Sequence, residues 1–175
     1  MIRRLPLIAL LAVTALPLRA QVIENEQIAV YAQQWVQAKA PGQNGLLSFL
    51  TLPRGQAGEY FSIRCNLVGG AETRSIRIGY PKPLTQDRAA AVPVPLTIDG
   101  RNMQATARFT GTTPDEAYTK SDIHGYELSF ASAAEQKAFL DAMKAGATLK
   151  IGGQTLPVSL TGFTAALNGQ GQYCK

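Results

Sequence analysis

Residue types that perform chemistry are scarce in this 175-residue chain. Its single histidine, His124, would need a nucleophile and an orienting partner to act as a general base. The sequence contains no G-x-S-x-G motif, no phosphate-binding glycine loop and too few histidines and cysteines for a closed zinc site. We therefore predict that the protein is not an enzyme and has no catalytic residues, no cofactor and no bound metal.

Three arginines occupy outward positions of three predicted strands: Arg64, Arg77 and Arg108. If these strands are neighbours, the side chains form a cationic face, and the guanidinium group is well suited to binding carboxylates and phosphates. Such a face would bind an anionic component of the cell envelope or an acidic protein partner. Solvated arginines on unrelated strands are the alternative.

Residues 110–122, TGTTPDEAYTKSD, are polar and rich in turn-forming residues. This composition predicts an exposed loop, and a loop of this kind could enter the active-site cleft of a partner enzyme. Its acids have a spacing that fits no EF-hand calcium loop. The candidate partner-binding residues of the loop are Asp115, Glu116, Tyr118 and Asp122.

The N-terminus is typical of a Sec-type signal peptide. Arg3 and Arg4 precede the apolar run LPLIALLAVTAL, and the expected cleavage site follows Ala20. The run is shorter than the roughly 20 residues that span a bilayer. We predict a signal peptide at 1–20 and a single exported β-rich domain at 21–175, periplasmic or secreted, with no transmembrane segment.

The predicted mature domain has little net charge. The whole sequence carries a formal net charge of +5, but three arginines and no acid lie in its first twenty residues. The remaining 14 basic and 12 acidic side chains give a net charge of +2. Domains that bind nucleic acid usually present a strongly basic surface, so we do not expect nucleic acid as a partner.

Two cysteines, Cys65 and Cys174, complete the set of reactive side chains. An even number of cysteines in an exported chain is typical of a disulfide, and two buried free thiols are the alternative. The bond would close a loop of roughly 110 residues, for which the chain-entropy model gives about 4–5 kcal/mol. Cys65 has an inward position on a predicted strand, which favours a structural disulfide over a reactive thiol.

Most of the chain alternates between apolar and polar residues, which is typical of strands. Asp99-Gly100 and Gly152-Gly153 mark hairpin turns, and Pro93 and Pro95 favour an edge position for the strand that contains them. Segment 81–91 is a connector. The predicted strands lie at 45–53, 59–68, 74–80, 124–130, 148–151 and 156–160, with two more within 92–109.

Three helices are predicted beside these strands. Apolar residues at Ile28, Tyr31 and Trp35 follow a helical spacing, which indicates a helix over 25–39. Ser132 and Glu135 form a capping box at the start of a helix near 132–145, and Gly146 can end it in the left-handed conformation. A short C-terminal helix follows Gly162.

The predicted fold is therefore mainly β. Its elements fit a β-sandwich or a partly open barrel of about seven or eight mostly antiparallel strands with three helices.

The C-terminal stretch FLDAMKAGATLKIGGQTLPVSLTGFTAAL resembles the invasion-associated locus B family of small exported bacterial proteins. That family carries several cysteines in its middle region, where this chain has only Cys65, so the resemblance is that of a divergent relative. It implies a β-rich periplasmic or secreted domain that functions in the envelope or in host interaction, and it supplies no catalytic residues. The matching positions are Lys144, Gly146, Leu160, Gly162, Phe163, Thr164, Ala166 and Leu167.

Two functions follow as hypotheses from this sequence. The first is a non-enzymatic binding domain resembling the invasion-associated locus B proteins. The second is a periplasmic inhibitor or immunity protein that uses the 110–122 loop to block an envelope-targeting enzyme.

Overall fold

The computed structural model describes residues 22–43, 45–50, 58–115 and 121–174, without the side chains of residues 115 and 121. The predicted signal peptide therefore lies outside the described residues. Within them the chain forms eleven strands and two α-helices. The strands are β1 (Val22–Glu24), β2 (Ile28–Tyr31), β3 (Trp35–Ala38), β4 (Leu47–Phe49), β5 (Tyr60–Val68), β6 (Ala71–Tyr80), β7 (Val92–Ile98), β8 (Arg101–Asp115), β9 (Ser121–Ser129), β10 (Thr148–Ile151) and β11 (Val158–Ser159), and the helices are α1 (Ala133–Ala145) and α2 (Phe163–Gln170).

The described strands form one antiparallel sheet in the order β1-β2-β3-β4-β5-β6-β9-β8-β7-β10-β11. The indole Nε1 of Trp35 on β3 donates a hydrogen bond of 3.1 Å to the carbonyl of Ser159 on β11. The sheet therefore curls until its two ends approach each other. The mainly β, antiparallel class is confirmed, with eleven strands where seven or eight were predicted and one continuous sheet where a sandwich would have two.

The core lies on the inner face of this curled sheet. Phe61 and Ile63 of β5 and Ile78 of β6 are fully buried, as the alternation predicts. Leu67 of β5 is 49% exposed, because β5 and β6 extend beyond the core to their turn at Gly69–Gly70. Alternation therefore identified the face of each residue, but not where the core ends.

The predicted helix at 25–39 is wrong, because this segment is the β2–β3 hairpin. Ala32 and Gln33 form its turn with φ of 50° and 56°, and neither is the glycine or asparagine that usually marks such a conformation. Trp35 is fully buried, with ring centroids 5.3 Å from Phe49 and 4.9 Å from Phe163. Packing of this ring overrides the helical spacing.

The predicted loop at 110–122 is also wrong for its described part. β8 and β9 continue as paired strands to Asp115 and Ser121. The register shifts between Phe109 and Gly111, which places a bulge at Thr110 and lets the ladder continue beyond it. Glu116 and Tyr118 lie outside the described residues.

The predicted edge position of β7 is wrong, since β7 pairs with both β8 and β10. β10 pairs only with Leu96–Ile98, beyond both prolines of β7. The carbonyl of Pro95 accepts a hydrogen bond of 2.9 Å from the amide of Gly152. The prolines are tolerated because the second ladder does not need their missing donors.

The capping box of α1 is confirmed on its serine side: the Glu135 amide donates to Ser132 Oγ at 3.1 Å. Gly146 ends the helix with φ of −89°, so the predicted left-handed stop is wrong. A Cβ at Gly146 would lie 2.6 Å from Ile98 Cγ2, and close approach is therefore the reason for glycine there. The left-handed corner lies at Gly162, φ 80°, where the chain turns into α2.

The C-terminal helix is joined to the sheet by covalent and polar bonds. Cys65 on β5 and Cys174 form the predicted disulfide, with a Cα–Cα distance of 5.0 Å. The fully buried Gln170 donates to the carbonyls of Gly45 and Ile63 at 2.7 and 3.0 Å. None of the described helices is long and apolar enough to cross a membrane.

Candidate functional site

The three predicted arginines share the outer face of strands β5, β6, β9 and β8, which are adjacent in that order. β5 and β6 are direct neighbours, whereas β9 lies between β6 and β8. Arg64 is on β5, two residues along from Ser62, so both side chains face outward. The residues that stand opposite one another across the four strands form a row, which we call the central row: Ser62, Arg77, Glu127 and Arg108.

The arginines outnumber the acids on this face. Arg77 Nη2 lies 3.6 Å from Glu127 Oε2, and the two side chains are 36% and 43% exposed. An ion pair as exposed as this contributes about 0.2–1 kcal/mol. Arg64 and Arg108 form no ion pair with any residue in the described part of the chain. Of these three guanidinium groups, only that of Arg77 pairs with a carboxylate in the described structure.

Arg77 also has an unused hydrogen-bond donor. Its Nε is buried and has no partner among the described residues. A buried donor without an acceptor costs about 1–3 kcal/mol. Because the Nε is buried, a ligand anion would contact Arg77 through the terminal nitrogens of its side chain, which is 36% exposed.

A second row runs beside the central row. Gly79, Gly125 and Gly111 stand opposite one another on β6, β9 and β8, and Tyr60 of β5 stands opposite Gly79. We call these three glycines the glycine floor. The ring of Tyr60 covers Gly79, and a Cβ on Gly125 would lie 2.9 Å from Tyr60 Oη. The aromatic ring thus crosses the bare backbone of two strands, beside Arg77.

The Tyr60 hydroxyl is neutral in this position. Burial raises its pKa above the ordinary value, while the nearby Arg77 and Arg64 act in the opposite direction. The face therefore combines an uncharged aromatic ring with the guanidinium groups of Arg77, opposite Ser62, and Arg64, two residues from Ser62 on β5.

His124 lies on the opposite face of the sheet from the arginines. It is 9% exposed and stands opposite Tyr80 and Thr112, with its ring centroid 6.4 Å from that of Phe109. Its Nδ1 is buried without a partner in the described residues. The sheet alternation places it with Tyr126 on the inner side, away from the arginines. The absence of catalysis stays a prediction.

The predicted partner-binding acids lie on the β8–β9 hairpin. Asp115 ends β8 opposite Ser121, and the exposed Asp122 stands opposite Pro114. Both positions are on the strands beyond the glycine floor, so they do not join the arginines. Glu116 and Tyr118 are not described.

One group of potential metal ligands occurs in the described ranges: Cys65, Glu72 and Cys174, whose ligand atoms lie within 4.8 Å of one another. Both sulfur atoms are bonded in the disulfide. They therefore provide no thiolates, and we assign no metal to this group.

Sequence patterns identified only part of this site. Alternation placed Tyr60 and Ser62 on the same face of their strand as Arg64. The roles of Glu127 and of the glycine floor were missed, because they depend on the pairing of β6 with β9. That pairing joins residues about fifty positions apart, and no turn signal in the sequence reveals it.

Together these features define a mainly β, disulfide-linked domain with a cationic outer sheet face. Among solved structures, the chain is similar to the crystal structure of invasion associated protein B from Bartonella henselae. The identity is 18%, the TM-score is 0.30, and the match covers 66% of this chain and 93% of that chain. This is a distant structural resemblance, and no residue role is transferred from it. No protein-family model and no curated protein matches the chain.

Proposed function

We propose that this protein is a non-enzymatic, exported binding domain that recognises an anionic group of an envelope component or an acidic partner. The ligand site is the arginine face, formed by Arg64, Arg77 and Arg108. The observation that carries this proposal is the central row, in which two of these arginines flank a single carboxylate while the third lies beside them without an ion pair.

The sheet supports binding by fixing the backbone positions from which these side chains extend. β6 and β9 are paired on both sides, so the backbone beneath Arg77 and Glu127 is constrained by two ladders. A site on rigid strands loses less conformational entropy on binding than a site on a loop.

Export is supported by two features of the chain. The first is the signal-like N-terminus, and the second is the Cys65–Cys174 disulfide, since disulfides persist in oxidising compartments such as the periplasm. The ligand would then be an envelope or extracellular component.

A charge-matched pair of variants tests the proposal. The first variant carries Arg64→Gln, Arg77→Gln and Arg108→Gln. The control carries three equivalent changes at exposed cations outside the face, Lys82→Gln, Arg101→Gln and Lys150→Gln.

Both triple variants lose the same net charge. We expect the first to lose at least about tenfold of the wild-type affinity for anionic envelope fractions, because guanidinium contacts to anions contribute about 1.5–3 kcal/mol each. The control should retain binding. Equal losses in both would show a non-specific charge effect and would remove the proposal.

A second candidate function is inhibition of an envelope-targeting enzyme by the β8–β9 hairpin. Its supporting observation is that the hairpin continues to Asp115 and Ser121, with Thr112, Thr113 and Pro114 exposed on one arm. A projecting, paired hairpin could enter a cleft with little loss of entropy.

The two functions are separated by replacing residues 112–122 with a short glycine linker. Loss of a tightly bound enzyme from a periplasmic pull-down would favour the inhibitor. Retained binding to envelope fractions after this replacement would favour the arginine face.

A further inference from the structure

We propose, building on the anion-binding function above, that the ligand of the arginine face is an acidic saccharide. One sugar ring would pack on Tyr60, and an acidic substituent of the saccharide would bind Arg77. The aromatic ring and the guanidinium groups lie on the same four strands, and their arrangement suits such a ligand.

Tyr60 provides an apolar surface on an otherwise polar face. Its ring covers Gly79 and extends toward Gly125, so the glycine floor holds the ring across the strands instead of letting it project outward. Any side chain at either glycine would displace the ring, since a Cβ there lacks room. The C–H groups of a sugar ring pack on the electron-rich face of an aromatic ring.

The central row, through Arg77, favours an acidic group on the ligand. Gly79 and Arg77 are two residues apart on β6, which is a separation of roughly 7 Å along the strand. A long arginine side chain spans much of that distance, and its buried Nε has no partner in the described structure. A carboxylate or phosphate attached to a sugar on Tyr60 would therefore fall within reach of the exposed terminal nitrogens of Arg77.

Glu127 gives the face a second kind of partner. It lies between Arg77 and Arg108, and its carboxylate is 43% exposed. The carboxylate of Glu127 can accept a hydrogen bond from a sugar hydroxyl. An inorganic anion such as sulfate has no hydroxyl donor for this contact. A ligand with both hydroxyl and acidic groups can therefore bond to Glu127 and to the arginines beside it in the central row.

The face suits a saccharide better than an acidic peptide. Extended peptides are usually bound at a free sheet edge or in pockets for alternate side chains. β6 and β9 have no free edge, because each pairs on both sides. The ring of Tyr60 fills the space above Gly79 and reaches Gly125, so this part of the face offers a ring surface in place of side-chain pockets.

Two probes of equal charge test this inference by titration calorimetry. One is an oligomer of galacturonic acid, and the other is an oligomer of glutamate with the same number of carboxylates. We expect the wild-type protein to bind the galacturonate oligomer at least about tenfold more tightly. Tyr60→Leu should abolish that preference without changing affinity for the glutamate oligomer, and Tyr60→Phe should keep it.

The outcomes separate this inference from the anion-binding function. If both probes bind equally and Tyr60→Leu changes neither affinity, the saccharide is excluded and the anion site stands. Binding of a neutral galactose oligomer as tight as that of the galacturonate oligomer would exclude the acidic contact. If neither acidic probe binds, both proposals fail. If Tyr60→Leu does not fold, the wild-type ratio of the two affinities decides.

Discussion

The two faces of strands β5, β6, β9 and β8 differ in what determines their residues. On the inner face, Phe61, Ile78 and Tyr126 are almost completely buried and stand opposite one another. Arg77, the neighbour of Ile78 in the chain, lies on the outer face. Its side chain is partly exposed and pairs with the carboxylate of Glu127. Burial explains the inner residues, whereas nothing in the packing requires three arginines outside.

This difference shows where stability and function are separated in the molecule. Substitutions on the inner face and at its closure should lower the free energy of unfolding without a specific effect on the ligand site. Substitutions on the outer face should change binding and leave stability almost unchanged.

Removal of the disulfide should have the largest effect. The Cys65→Ser, Cys174→Ser double variant should lose about 4 kcal/mol of unfolding free energy, since the bond joins residues 109 positions apart. Denaturant unfolding of the oxidised wild type and the variant measures this difference. A loss below about 1 kcal/mol would show that Gln170 and α2 close the domain without the bond.

Ile78→Ala should have the next largest effect on the free energy of unfolding. Ile78 is fully buried between its cross-strand neighbours Phe61 and Tyr126, so truncation should cost about 2–5 kcal/mol. Arg77→Gln, on the adjacent residue, is the matched control and should lower stability by no more than about 0.5 kcal/mol. Similar losses in the two variants would contradict the division between the faces.

Alkaline pH should weaken the inner face through Tyr80. Burial raises the pKa of its hydroxyl, which donates a 2.6 Å hydrogen bond to the carbonyl of Gly152. The folded state therefore retains a proton that the unfolded state loses near its ordinary pKa of 10.0. This stabilisation is present below pH 10.0 and decreases as the pH rises above it.

Unfolding measured between pH 9 and pH 12, roughly spanning this titration, should show the decrease. Tyr80→Phe should be less stable at neutral pH, because the hydrogen bond is lost, but its stability should depend less on pH. An unchanged pH dependence in Tyr80→Phe would assign the effect to other groups. Tyr60, whose pKa is also raised by burial, is the first of these.

The triple change of Arg64, Arg77 and Arg108 to glutamine should have the smallest effect on stability. The single ion pair of the face is exposed, and the unpartnered Nε of Arg77 is removed together with its desolvation cost. We expect any loss of unfolding free energy to stay below about 1 kcal/mol. A larger loss would mean that the arginines maintain the sheet.

The sequence predicted the inner face better than the site. Alternation located Phe61 and Ile78, and the Asp99-Gly100 and Gly152-Gly153 turns were placed correctly because their residues have a local signal. The β2–β3 turn lacks such a signal, and the spacing around Trp35 therefore predicts a helix that the structure does not have. The central row could not be derived in full, since it depends on β9 inserting between β6 and β8.

The most direct test of the arginine face follows the guanidinium groups themselves. In ¹⁵N–¹H spectra, the Nε–Hε signals of individual arginines can be recorded while an oligomer of glutamate or galacturonate is added. If the arginine face binds the ligand, we expect saturable shifts at Arg64, Arg77 and Arg108, largest at Arg77, with the Arg101 signal unmoved. Shifts spread evenly over all the arginines, or no saturable shift at Arg77, would contradict it.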